Sequence, residues 1–229
     1  MNISIQQITS IEDLWSLFAK YAKTKIENID GKLHKIYFEG YLESVRAGLK
    51  TVIIEEVYVD RDFLEDYSAY YARCFQDYGR FCARFHFFSL TFDEQSFFSL
   101  LEGNESAISV EDLKKNYLGF VVIKPLPDAI IGRTCLAVYE DDGKRRNYPA
   151  IRDYPVNLCG INLSVKSLAY QEQDTVVAAC ATSALWSVFH STGMLFQHEI
   201  LSPVEITRRA TEYVPIDNRA FPSSGLTLT

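Results

Sequence analysis

One stretch of this chain gathers the residue types that acyl-transfer chemistry needs: Tyr170-Gln-Glu-Gln-Asp-Thr-Val-Val-Ala-Ala-Cys-Ala-Thr-Ser-Ala-Leu-Trp186. A polar lead carrying Gln171 and Gln173 enters an alanine-rich run, in which Cys180 stands in the first turns of an expected helix. A helix N-terminus carries about half a positive charge and unpaired N–H groups, which together favour a thiolate over a thiol. A glutamine just upstream can turn its amide N–H toward the oxygen of a tetrahedral intermediate, and the backbone N–H at Cys180 can act as a second donor. The competing reading is structural, because a cysteine among Ala, Val and Leu also packs as a small hydrophobe. Cys74, Cys82, Cys135 and Cys159 take that structural reading, since none has a comparable polar lead.

The string Gln171-x-Gln173 … Cys180-Ala181-x-x-Ala184-Leu185-Trp186 resembles the papain-like cysteine proteases, including the bacterial ones and the related bacteriocin-leader peptidases. The resemblance covers about Leu168 to Phe189. It implies that Cys180 is the nucleophile and Gln173 the oxyanion donor, with Gln171 as a substitute. The C-G-[SA]-C-[WY] signature of papain and the cathepsins is not present, so the kinship it implies is distant.

The general base is the missing part. In papain and the cathepsins the His and Asn follow the Cys by about 130–150 residues, which is further than Thr229. On a continuous helix His190 would lie about 15 Å along the axis from Cys180, beyond hydrogen-bond reach. His198 serves only if the chain folds back, and His86 only in a circularly permuted arrangement. The sequence leaves two explanations open. The base lies past residue 229, Phe221-Pro-Ser-Ser-Gly225 opening a new element, or the domain has kept the fold and lost catalysis. His190 and His198 flank Gly193, and no histidine stands near a cysteine at zinc-finger spacing, so no metal site is expected.

Composition narrows the classes further. The chain has 229 residues, 48% of them hydrophobic, enough to bury a core. A formal net charge of −7 argues against nucleic-acid binding that rests on phosphate neutralisation. Five cysteines without a C-x-x-C pair, and an N-terminus without a basic and apolar leader, point to free thiols in a reducing cytoplasm. The uncharged run from Val176 to Phe196 approaches the length of a bilayer span. Its serines, threonines and alanines suit a helix buried in a globular core instead.

The expected elements make an α+β protein. Ser10 with Asp13, Thr91 with Glu94 and Ser109 with Asp112 mark helix starts; the first helix runs on through Leu14, Phe18 and Ala22. Further helices are expected over 37–47, from Arg61 to about Tyr78, and from Asp174 to Phe189, ended by Gly193. Ser202-Pro203-Val204-Glu205 opens one more, with Ser202 as cap. Strands are expected over 51–59, over 81–87 where Phe81, Ala83, Phe85 and Phe87 alternate with Cys82, Arg84 and a packed His86, over 120–123, and over 156–168 with a break at Gly160. Residues 134–139 and 148 onward flank Asp142-Gly143 as a hairpin, and Lys144-Arg145-Arg146 forms a solvated loop on it. The boundary falls at 117: a mixed helix-and-strand module over 1–117, then a strand-rich region and the start of a papain-like domain over 118–229. The aromatic-rich stretch from Tyr67 to Phe88 is a candidate partner surface.

The functional expectation is a papain-like cysteine hydrolase, most simply a peptidase acting on a peptide or protein, with no metal or organic cofactor. An acyltransferase with the same thiol chemistry and a non-catalytic interaction protein stand as alternatives.

Overall fold

The computed structural model describes residues 2–44, 48–140, 142–144, 146, 148–174 and 179–212. Five strands form one antiparallel sheet in the order β1-β2-β3-β4-β5 (Ile3–Gln7, Thr51–Tyr58, Cys82–Phe88, Tyr117–Ile123 and Ile131–Leu136). Between β1 and β2 come α1 (Ile11–Ala22), α2 (Glu27–Asp30) and α3 (Leu33–Ser44). Between β2 and β3 lies α4 (Arg61–Ala69); α5 (Glu94–Leu101) and α6 (Val110–Asn116) precede β4. A two-stranded sheet, β6 (Arg152–Leu158) and β7 (Ile161–Ser167), follows, and then α7 (Cys180–Phe196) and α8 (Pro203–Glu212). Helices and antiparallel sheets together make the α+β class.

Both faces of the large sheet are covered, and this explains its sequence texture. On one face α1 and α3 bring Leu14, Trp15, Phe18 and Phe38 against Phe85, Phe87 and Val121. On the other, Phe63, Trp186 and the inward residues of β6 and β7 pack against Cys82, Phe88, Phe120 and Val122. Every residue of β4 is buried, as a strand between two apolar layers requires. The β6–β7 pair is covered on one face only, so its residues alternate buried and exposed. Its turn has Cys159 and Gly160 both at positive φ, the backbone of a type I′ hairpin.

Several expectations hold. Ser10 with Asp13 and Ser109 with Asp112 form reciprocal capping boxes on α1 and α6. Others need correction. Thr91 does not cap α5; the Asp93 carboxylate accepts the Ser96 N–H at 2.8 Å and takes that place. The helix from Arg61 ends at Ala69 and gives way to a 3₁₀ turn at Tyr71–Arg73. Asp142-Gly143 does not join a hairpin, because the strands on either side pair elsewhere, β5 with β4 and β6 with β7. Cys82 and His86 are buried, in keeping with a structural cysteine and a packed histidine, because a second layer covers their side of β3. β1 went unread: Ile-Ser-Ile-Gln-Gln is only five residues long and gains its ladder from β2.

Gly193 does not end α7. A Cβ there would come 2.9 Å from Ile200 Cγ1, so the glycine sits mid-helix to let the returning chain approach. The helix stops instead at Gln197, in the left-handed conformation. No helix among the described residues is long and apolar enough to cross a membrane. The large sheet takes strands from both sides of residue 117, β3 lying directly beside β4.

The tightest backbone approach is at Gly119, with φ +112 and an ideal Cβ position 2.1 Å from the Cys135 carbonyl oxygen. Gly119→Ala should lower stability by about 2 kcal/mol or more, read from the urea midpoint. Gly103→Ala shares the positive φ but faces open space, and should cost only about 1 kcal/mol.

Candidate functional site

Cys180 is the first residue of α7, and it is exposed. Its neighbour Ala179 occupies the N-cap with φ −62 and ψ 169, and its methyl side chain offers the leading N–H groups no acceptor. The expected helix from Asp174 therefore starts later; residues 175–178 lie outside the described ones. The other thiols have different surroundings. Cys82 and Cys135 are buried, and burial pushes the Cys135 thiol up to about 12 and the Cys82 thiol well above its ordinary value. Cys159 is half-buried and is raised too, by burial and then by Glu55.

The glutamines part ways. Tyr170 pairs with Thr134 in an isolated antiparallel bridge, and the Glu172 N–H donates to the Ile131 carbonyl, so this segment runs along the edge of β5. Gln171, within it, is buried, and its Nε2 has no hydrogen-bond partner among the described residues. Gln173 is exposed and lines a small cleft of about 190 Å³ with Asp174, Tyr71 and Tyr78. No hydrogen bond joins either glutamine to Cys180 among the described residues.

Three of the four imidazoles are accounted for. His86 lies fully buried in β3, where burial lowers its pKa to about 4. The neutral ring bridges Tyr117 Oη on Nδ1 and Glu55 on Nε2, each at 2.9 Å; the acceptor-only carboxylate fixes the proton on Nε2. His190 is buried in α7, its ring 4.2 Å from that of Trp186. Burial and the nearby Arg152 lower its pKa to about 3, and Arg152 Nη2 donates to its Nδ1 at 3.3 Å. His198 follows the far end of α7, about 25 Å along the helix from its start, and holds the Thr192 hydroxyl at 2.7 Å. None of these three is placed to take a proton from Cys180. The side chain of His34 lies outside the described ones. Among the described residues no group of three His, Cys, Asp or Glu could hold a metal ion.

What holds α7 in place is a set of buried carboxylates that the sequence reading passed over. Asp62 on α4 accepts from the Trp186 indole N–H at 2.9 Å. Asp66, one turn on, accepts from the Val204 N–H at 3.1 Å and so caps α8. Ser202, the expected cap, has its Oγ buried with no hydrogen-bond partner among the described residues. Asp60 caps α4 through the Phe63 N–H and binds Arg133 of β5 at 2.8 Å. The signal lay in the spacing: Asp62 and Asp66 stand four apart, on the helix face that Phe63 and Ala69 mark as buried.

The stretch from Tyr67 to Phe88 is divided between core and surface. Tyr71, Phe85, Phe87 and Phe88 are buried, while Phe75 and Phe81 stay exposed. No protein-family model, curated protein or solved structure matches the chain.

Burial, and then the nearby Asp60, raises the Asp62 carboxyl to about 6. A raised carboxyl stabilises the folded state fully below its unfolded value, near 4, and that contribution is lost as pH rises through 6. Asp62→Asn keeps a carbonyl oxygen for the Trp186 N–H and removes the titration. Its melting temperature should therefore gain on the wild type by about 5 °C or more between pH 4 and pH 7. A pH-independent difference in thermal melts would show that Asp62 does not titrate in this window.

Proposed function

We propose that this chain carries the nucleophile of a papain-like cysteine hydrolase, most simply a peptidase of the cytoplasm. The observation that supports the reading is the placement of Cys180. It opens a 17-residue helix, exposed to solvent, behind a segment with two glutamines, while Cys82 and Cys135 are sealed in the core. In this reading the Cys180 thiolate bonds to the substrate carbonyl carbon, and the Gln173 amide donates to the oxyanion, with Gln171 as the substitute. Collapse of the intermediate breaks the C–N bond and expels the amine with a proton from a general acid; water then releases the acyl group. His86, His190 and His198 are engaged elsewhere, so the reading takes the proton carrier from outside the described residues.

A second reading, a non-catalytic interaction protein, is favoured by a different observation. α7 carries no charged residue, yet Leu185, Val188 and Leu195 on its outer side are exposed. Helices apolar all round are normally covered on all sides.

Timed iodoacetamide labelling, read cysteine by cysteine by peptide mass spectrometry, separates the two. The hydrolase reading expects Cys180 to react at least about 10-fold faster than the half-buried Cys74 and Cys159. In an active preparation Cys180→Ser should abolish turnover of a fluorogenic peptide, and Gln173→Ala should lower kcat by about 10²–10³ with KM little changed. Labelling of Cys180 no faster than that of the half-buried pair favours the interaction protein.

A further inference from the structure

α7 is held from one side only. Thr182, Trp186 and His190 recur every four residues and are buried against the body of the protein. On the opposite side Ala181, Leu185, Val188, Thr192 and Leu195 follow at intervals of four, three, four and three residues. That is the spacing of a seam between two paired helices. Val188 is 51% exposed and Leu195 69%, and Met194 and Phe196 flank the seam, both exposed. A helix face in water normally carries charge, yet none of the residues from Cys180 to Phe196 is charged. The one hydroxyl in the seam is already engaged. Thr192 Oγ1 lies 3.0 Å from the Val188 carbonyl and 2.7 Å from His198 Nε2, so covering the seam strands no polar group there.

The chemistry of the seam narrows what can cover it. Without a lysine or arginine, α7 lacks the basic face with which interfacial helices hold anionic lipid. It offers a charged partner nothing to pair with. An uncharged patch does, however, let two copies of a chain of net charge −7 meet without setting like charges face to face. The side-chain sizes then choose a direction. Ala181 and Ala184 are small at the N-terminal end, and Leu195, between Met194 and Phe196, is bulky at the other. Parallel copies would set bulk against bulk and leave a gap between the alanines. Antiparallel copies set the alanine end of each against the leucine end of the other and keep the axes evenly spaced. The macrodipoles favour the same direction, because each helix start then lies beside a helix end. A helix of 17 residues is about 25 Å long. Two in contact over that length bury on the order of 1,000 Å², near the lower limit for a specific interface.

We propose that α7 pairs antiparallel with the α7 of a second copy of this chain, across a two-fold axis near Val188. The pairing gives a partner to the face on which the interaction reading rests, and it holds whether or not Cys180 is a nucleophile. The interface is isologous, the same patch on both copies. The two Cys180 residues lie at opposite ends of the seam, each near the C-terminal end of the other α7.

The test is sedimentation velocity of the full chain at rising concentration. The mass should climb from 26.2 kDa toward twice that value, with half-association at about 10–100 μM, the strength expected of so small an interface. Val188→Glu sets two carboxylates against each other at the axis and should raise the dissociation constant about 10-fold or more. Leu195→Lys should weaken association by a similar factor. Both positions are exposed, so each variant should melt like the wild type at concentrations where the wild type is monomeric. Direction is read by Gln197→Cys with a short bismaleimide, which should link Cys180 of one chain to position 197 of the other. Within one chain those positions stand at opposite ends of α7, about 25 Å apart and beyond the reach of the linker. A wild type that stays monomeric up to about ten times the expected dissociation constant would overturn the proposal. So would undiminished association of Val188→Glu, or a cross-link joining the two Cys180 thiols instead. A monomeric chain leaves the interaction reading itself to the labelling of Cys180, which is measured separately.

Discussion

The inner face of α4 places three carboxylates in the middle of the protein, and the arrangement of the C-terminal half depends on them. Asp60 joins α4 to β5 through Arg133, Asp62 holds α7 through the Trp186 indole, and Asp66 closes the start of α8. All three residues are buried. Buried carboxylates are tolerable only with well-directed partners, because removing one partner leaves the desolvation cost without compensation. The apolar contacts around them are broad and non-directional, so they hold the layers together without choosing an angle. The hydrogen bonds choose it. The orientation of the helix that begins at Cys180 is set by an aspartate on a helix more than a hundred residues upstream.

The same logic separates the buried polar groups from the exposed thiol. His86 and His190 are polar, but each is neutral and surrounded by aromatic rings and fixed partners, as a residue that completes a core should be. Cys180 stands at a helix end, in water, with no such confinement. Sheet and helices act as a support, and the exposed thiol lies at its margin, at the beginning of α7.

The elements were legible where local chemistry decides. Ser10 with Asp13 and Ser109 with Asp112 fixed two helix starts correctly, because a capping box is built from four consecutive residues. The break at Gly160 within the strands expected over 156–168 was legible too, and it is where the β6–β7 pair turns. Pairing was not legible. Asp142-Gly143 has the residues of a hairpin turn, yet nothing in it states which strands will meet, and the true hairpin turned at Cys159-Gly160. Of the candidate site, the place of Cys180 at a helix start was readable from its polar lead and alanine run. The spacing of Asp62 and Asp66 marked them as sharing a buried helix face, but the roles of the three aspartates were not readable, because their partners Trp186, Val204 and Arg133 are remote in sequence.

The capping of α8 by Asp66 carries a kinetic consequence. Donor and acceptor of that bond are 138 positions apart, so α8, whose start Pro203 marks locally, takes a side-chain cap from a distant helix. A short isolated helix is marginal in water, and closing so long a loop must precede the reward of the bond. The native docking of α8 thus waits until α4 has settled on the sheet.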